Sequence, residues 1–301
     1  MNAVATLIVK RDAPFLSADH AERVRAALAE AGANPGAPDW LAPGIACDIP
    51  FDGLDVGSAK PIVATALAGE AIDFACQPAR GRRKALLIAD MDSTMIQVEC
   101  IDELADFAGL KPQVAAITEA AMRGELDFAG ALKERVALLA GLGEDVLDRV
   151  YRERVVMTPG AETLVRSMGT TGAHTILVSG GFTYFVQRVA DALGFADFAA
   201  NLLEIDGGRL TGRVTGRVVD AEVKRQTLLD ACAARGIAPA DVLAVGDGAN
   251  DIPMMAEAGL AAAYRGKPRA RAAADITLDH ADLSSLLYVQ GFRDREIVEA
   301  S

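Results

Sequence analysis

The sequence predicts an α/β protein: a parallel sheet covered on both faces by helices, interrupted by an inserted block of helices and preceded by a small α+β domain. Three observations carry this expectation. From residue 85 onward, short apolar runs ending in turn residues alternate with helical stretches, as strands and crossover helices do in a parallel sheet. Between about Ile96 and Met157 the alternation stops and only helical patterns occur. Before residue 79 strand and helix patterns share a short segment with a Pro/Gly-rich stretch.

In chain order, Ala3 to Val9 reads as a strand and Ala18 to about Ala31 as a helix, followed by the Pro/Gly-rich stretch through Pro50. A mixed segment, Ala59 to Cys76, completes a first domain over residues 1–78. The basic run Ala79-Arg-Gly-Arg-Arg-Lys84 reads as a solvated hinge. The second domain, 79–301, opens on the strand Ala85 to Ala89, and further strands are expected at Thr175 to Val178, Val242 to Val245 and Leu260 to Ala263. Helices fall at Tyr184 to Leu193 and Glu222 to Ala234, and the inserted helical cap spans about 96–157. Thr158 is placed as an N-cap with Pro159 in the first turn. Asp206-Gly-Gly208 between β-type runs in Leu202 to Val219 predicts a hairpin.

Composition narrows the function. At 301 residues, 51% of them hydrophobic, the chain can bury a sizeable core, yet no run approaches the roughly 18 apolar residues of a membrane span. The first dozen residues lack the basic region and long apolar stretch of a secretion signal, so the expected compartment is the cytoplasm. Cys47, Cys76, Cys100 and Cys232 have no metal-type spacing and read as reduced thiols. Net charge is −12, and residues 1–84 hold nine Lys/Arg against ten Asp/Glu, so nearly all the excess lies in the second domain. Nucleic acid is therefore not an expected partner. His20, His174 and His280 are the only histidines and none lies in a motif, so the chemistry has to run on carboxylates.

Four motifs supply it. Asp90 and Asp92 follow the first strand of the second domain, at the end where open α/β sheets bind ligands. Alternate strand residues face one way, and two like charges held that close need a cation, a shared proton, or both. Ser179-Gly180-Gly181 sits at a second strand end before a helix, where a hydroxyl and glycine N–H groups suit phosphate oxygens, although alone it reads as a turn. Lys224 lies at a helix start and gains weight because the other motifs require a fixed cation. Gly246-Asp247-Gly248-Ala249-Asn250-Asp251 follows the strand ending at Val245. Its oxygen-only ligands suit Mg²⁺, which favours carboxylates, water and substrate phosphate.

This ordered set resembles the haloacid dehalogenase (HAD) superfamily of phosphohydrolases over residues 85 to about 290, and within it the phosphoserine phosphatase branch. The resemblance implies a Rossmann-like core with a helical cap inserted after the first motif. It implies hydrolysis of O-phospho-L-serine to L-serine and phosphate through an aspartyl-phosphate, the last step of serine biosynthesis. Asp90 would be the nucleophile and Asp92 the group that protonates the leaving oxygen and then activates water. Asp90, the backbone carbonyl of Asp92 and Asp247 would hold Mg²⁺, supported by Asp251. Ser179, the Gly180 N–H and Lys224 would contact the phosphoryl group, with Asn250 beside it. In the cap, Glu99 would meet the substrate ammonium, Arg135 its carboxylate, and Phe128 would shield the site. Thr94 would orient the loop or cap the following helix. The first domain resembles small amino-acid-binding ACT-type domains, which implies a homodimer through it or feedback by serine. Competing expectations are another small-molecule phosphatase of the superfamily and a phosphotransferase that passes phosphate from phosphoserine to an alcohol. A transport ATPase would need membrane spans, and a non-catalytic regulator would not need the intact carboxylate and lysine set.

Overall fold

Two sheets organise the chain in the computed structural model, which describes residues 1–11, 15–122 and 125–299. The first is built from β1 (Ala3–Ile8), α1 (Ala18–Glu30), β2 (Asn34–Pro35), β3 (Asp39–Ala42), β4 (Ala46–Asp52), α2 (Val56–Ala66) and β5 (Asp73–Pro78). β1 is central, antiparallel to β4 on one side and β5 on the other, while β2 and β3 pair with β4. Each helix starts on a side-chain cap: Ser17 Oγ accepts the His20 N–H and Asp55 accepts the Ser58 N–H. Val24, Leu28 and Val63 of the helices pack on Leu7, Ile49 and Phe51 of one sheet face. Ile8, Ala46 and Ala75 join the apolar cluster that contains Leu286, Tyr288 and Phe292 of the second domain.

The segment between the domains is no solvated hinge. Arg82 donates to Asp48, to Thr6 Oγ1 and to the Tyr288 and Val289 carbonyls, and Lys84 Nζ donates to the Gly81 and Ala240 carbonyls at 2.9 and 2.7 Å. Asp73 accepts the backbone N–H groups of Asp279, His280 and Ala281 at 2.8 to 3.0 Å. The basic run reads as solvated because its acceptors, a carboxylate and carbonyls from distant segments, are invisible in sequence. A guanidinium's five donors make it well suited to gather them.

The second domain runs β6 (Leu86–Ala89), α3 (Cys100–Phe107), α4 (Lys111–Met122), α5 (Phe128–Ala137), α6 (Asp145–Arg154), α7 (Ala161–Thr170), β7 (His174–Phe182), α8 (Thr183–Leu193), β8 (Asp197–Asp206), β9 (Arg209–Thr215), α9 (Ala221–Arg235), β10 (Val242–Gly246), α10 (Ile252–Glu257), β11 (Leu260–Tyr264), α11 (Pro268–Ala273), β12 (Ile276–Leu278) and α12 (Ser285–Val289). The sheet order is β12-β11-β10-β6-β7-β8-β9, parallel except for the antiparallel β8–β9 hairpin. From β6 the chain proceeds to β7 and β8 on one side, then crosses to β10 on the other. The carboxyl ends of β6 and β10 therefore form the topological switch point at which such sheets bind ligands.

The helices α3 to α6 are inserted between β6 and α7. Their entry and exit are tied by the Ile96–Met157 bridge, the Gln97 N–H to Val156 carbonyl bond and the Thr158 N–H to Met95 carbonyl bond. That tie corrects the placement of Thr158 as an N-cap. Thr158 is buried in the seam, and α7 begins at Ala161 after Gly160, whose φ of 79° only glycine adopts freely. β8 also starts at Asp197, earlier than the predicted hairpin, and the three-residue β12 is too short to leave a period in the sequence.

Candidate active site

β6 is buried along its whole length, as a central parallel strand must be, and it ends by delivering Asp90. The Asp90 N–H still pairs with the Val245 carbonyl of β10, and its carboxylate accepts the Met91 N–H at 2.7 Å. The chain then turns sharply at Ser93, a non-glycine residue at φ 56°. This turn aims Asp92 at the start of α3, where its Oδ1 accepts the Cys100 N–H at 3.0 Å. It also lets Ser93 Oγ donate to Glu99 Oε1 at 2.7 Å. Glu99 is the residue before α3, not on a helix as its sequence context suggests.

The other strand ends converge here. Ser179 Oγ lies 3.4 Å from Asp92 Oδ2 and accepts the Gly181 N–H at 2.8 Å. Lys224, fully buried in the first turns of α9, joins Asp90 at 2.7 Å to Asp251 at 2.8 Å. Burial opposes its charge, but the Asp251 and Asp90 carboxylates outweigh it and raise its pKa, so the ammonium persists. Asp251 also accepts the Asp247 and Gly248 N–H groups, both at 3.1 Å. Gly246 is glycine because a Cβ there would sit 2.4 Å from the Asp251 carboxyl. Asn250 Nδ2 donates to Asp90 at 3.3 Å. Every predicted core residue of the site is thus brought to one place.

Asp90, Asp247 and Asp251 each place a carboxylate oxygen within 4.8 Å of the others. All three carboxylates are engaged: Asp251 by Lys224 and two backbone N–H groups, Asp90 by Lys224, Asn250 and the Met91 N–H, and Asp247 by Lys267. An all-oxygen set with no His or Cys fits a hard divalent cation. Burial raises the pKa of Asp90 and Asp247, with Asp251 adding to both, and a bound cation would relieve that crowding. Asp92 is likewise pushed up by burial, and the Cys100 N–H pulls it back.

The cap supplies the roof. Phe128, at the start of α5, reaches the Ser179–Gly181 loop so closely that a Cβ on Gly180 would lie 2.7 Å from its ring tip. Asp127, Phe128 and Ala129 face Asp220 and Asn250 across a cleft of about 500 Å³. Arg135 follows two turns later, its Nε on the Ala131 carbonyl, and no carboxylate of the described residues lies within ion-pair distance of it. Burial lowers its pKa while the charges of Asp102, Glu99 and Asp92 oppose that, so it overlooks the same acidic mouth. Burial, then Asp92, raise the Glu99 pKa to about 7. Thr94 is buried with its Oγ1 unpartnered among the described residues, and α3 starts too far on for Thr94 to cap it.

Two members were missed. Lys267, after β11, pairs with Asp247 at 3.0 Å, and its place at another strand end could have drawn attention. Asn201, buried in β8, donates to the Gly180 carbonyl at 2.7 Å and accepts the Val219 N–H at 2.8 Å; nothing local in the sequence marks it.

Residues 87–256 match the family model of haloacid dehalogenase-like hydrolases. The chain belongs to that family. Among this family's members, a phosphoserine phosphatase of Polaromonas sp. is 49% identical over 207 residues, 67% of this chain and 88% of the relative. One from Streptomyces coelicolor is 42% identical over 291 residues, covering 95% of this chain and 70% of the relative. The unliganded crystal structure of a probable phosphoserine phosphatase from Vibrio cholerae superposes with a TM-score of 0.79 at 32% identity, over 98% of this chain and 88% of that one. The HAD-type fold is therefore shared with phosphoserine phosphatases, which are phosphoric monoester hydrolases.

Proposed function

We propose that the chain hydrolyses O-phospho-L-serine to L-serine and phosphate through an aspartyl-phosphate on Asp90, as the last step of serine biosynthesis in the cytoplasm. The observation that carries this reading is the pairing of two half-sites. Buried Asp90 and Lys224, with the partly buried Asp92, lie beneath the Glu99 carboxylate and the Arg135 guanidinium, which has no carboxylate partner among the described residues. A guanidinium matches a carboxylate bidentately and a carboxylate matches an ammonium, so the cap side recognises an amino acid while the core side handles its phosphate.

In the first step an Asp90 carboxylate oxygen attacks phosphorus as the bond from phosphorus to the serine oxygen breaks. Asp92 gives its proton to that leaving oxygen, and the upward push of burial on its pKa keeps the proton available. In the second step Asp92 takes a proton from water as the water attacks phosphorus, the bond to Asp90 breaks and phosphate leaves. Splitting one displacement into two lowers each barrier. Ser179, the Gly180 N–H, Lys224 and Asn250 bind and orient the phosphoryl oxygens, and Phe128 keeps bulk water out. Mg²⁺, held by Asp90, the backbone carbonyl of Asp92 and Asp247 with Asp251 behind them, would supply positive charge to the transferring group.

The first domain runs βαβββαβ, and the two-residue β2 is the addition to the βαββαβ order of an ACT-type domain. One face of its sheet packs on the second domain, so a homodimer through it would use the α1/α2 face or a sheet edge. Among the described residues no helix is long and apolar enough to cross a membrane. Phosphate release from O-phospho-L-serine should require Mg²⁺, stop with EDTA, and vanish in Asp90→Asn; undiminished activity in that variant would overturn the covalent route. Arg135→Ala should cost about 2–5 kcal/mol in kcat/KM on phosphoserine and far less on phosphoethanolamine, which lacks the carboxylate. Equal losses on both would remove Arg135 from that role.

A further inference from the structure

The β8–β9 hairpin touches both halves of the site. On the core side, β7 and β8 are paired at Val178–Ala199 and again at Phe182–Asn201. Three β7 residues, Ser179 to Gly181, therefore stand opposite one β8 residue, Ala200. This bulge forms the phosphate loop and takes the Gly180 carbonyl out of the ladder. Asn201, 1% exposed, replaces the missing partner: its Nδ2 donates to the Gly180 carbonyl at 2.7 Å. Its Oδ1 accepts the N–H of Val219 at 2.8 Å, and the next residue, Asp220, caps the helix that carries Lys224. A carbonyl on one side and an N–H on the other fix the amide's orientation. One side chain thus sets the phosphate loop against the lysine helix.

On the cap side, the same hairpin binds the turn after α5. The Gly141 N–H donates to the Leu210 carbonyl, the Leu210 N–H to the Leu142 carbonyl and the Glu144 N–H to the Gly208 carbonyl, at 2.8 to 3.0 Å. Gly212, at φ +80°, lets β9 lie directly against α5; a Cβ there would be 2.9 Å from Ala140 Cβ and 3.1 Å from the Ala137 carbonyl oxygen. α5 carries Phe128 and Arg135.

We propose that the β8–β9 hairpin is the strut that sets cap against core, with Asn201 the positioning residue for the phosphate half and Gly212 the positioning residue for the amino-acid half. The division into halves rests on the phosphoserine reading; the placement of the phosphate loop by Asn201 does not.

The test uses the full chain with Mg²⁺ and two readouts, inorganic phosphate binding by calorimetry and steady-state kinetics on phosphoserine and phosphoethanolamine. Asn201→Leu should weaken phosphate binding about tenfold or more, an affinity change that a mere loss of folded molecules does not produce. Asn201→Asp, which keeps shape and the Val219 acceptor but sets an oxygen against the Gly180 carbonyl, should do the same if the leucine variant does not fold. Gly212→Ala should leave phosphate affinity unchanged and raise KM for phosphoserine about tenfold relative to phosphoethanolamine. Unchanged phosphate affinity in the folded Asn201 variant, or equal effects of Gly212→Ala on both substrates, overturns the proposal. If the wild-type chain leaves phosphoserine intact, the substrate reading and the Gly212 half fall with it, and the calorimetry still decides Asn201.

Discussion

Recognition of the substrate ammonium, as proposed, needs Glu99 ionised, yet Glu99 is held where ionisation is disfavoured. Its pKa stands at about 7 against an ordinary 4.5, through burial first and the Asp92 charge second. A carboxyl raised on folding binds its proton more tightly in the folded state. Its contribution to stability is therefore fully present below pH 4.5 and is lost as pH climbs through about 7. Glutamine keeps the Ser93 hydrogen bond without the charge. In metal-free protein, Glu99→Gln should be more stable by about 3 kcal/mol at pH 8, with a gain about 2 kcal/mol smaller at pH 5.5. Urea unfolding at the two pH values measures this, and identical curves at pH 8 would reject the account. The same variant should lose most of its phosphoserine turnover, because an amide cannot pair ionically with the substrate ammonium.

Among the elements, the contact between α5 and the Ser179–Gly181 loop is one atom deep. Gly180→Ala introduces a Cβ into the Phe128 ring tip, and Phe128, 37% exposed, has room to swing away. Stability should barely change, while kcat/KM falls about tenfold as the shield lifts. Shortening the ring in a Gly180→Ala, Phe128→Leu double variant should recover part of that loss. A melting temperature that collapses along with activity would instead make the contact core packing. The elements legible in the sequence were those whose neighbours are all alike. β6, β7, β10 and β11 are buried on both faces, so they read as apolar runs stopped by polar motifs. The motif residues were legible because backbone geometry at a strand end fixes what can sit there. Asn201 was not, since it owes its role to segments far away in the chain, and Lys267 follows a strand end without a motif around it. Ser93 in its left-handed turn escaped because nothing in a serine marks a positive φ, and Arg82 because the acceptors of its network lie far away in the chain.

At the scale of the molecule, the first domain is welded to the second, and that changes how its role should be tested. Truncation at residue 79 would uncover Tyr288 and Phe292 where Ile8 and Ala46 now cluster with them. It would also strip Asp48 from Arg82 and Asp73 from three backbone N–H groups. Serine feedback, if this domain mediates it, would have to act through this fixed interface and not by swinging the domain away. Point substitutions in the seam are the cleaner probe. Asp73 is buried with no lysine or arginine paired to it among the described residues; burial raises its pKa and the three N–H donors pull it back. Removing an acceptor costs more than removing a favourable bond where a donor stays buried and unpaired, as the Ala281 N–H would. Asp73→Ala should therefore destabilise the chain by about 3 kcal/mol, and Asp73→Asn, which keeps one oxygen, by less. Both should retain wild-type kcat per folded molecule, since Asp73 lies in the seam and contacts no residue of the site. Chemical denaturation with activity read on the same samples separates the two quantities. A wild-type midpoint in Asp73→Ala would mean that the apolar cluster alone holds the domains together.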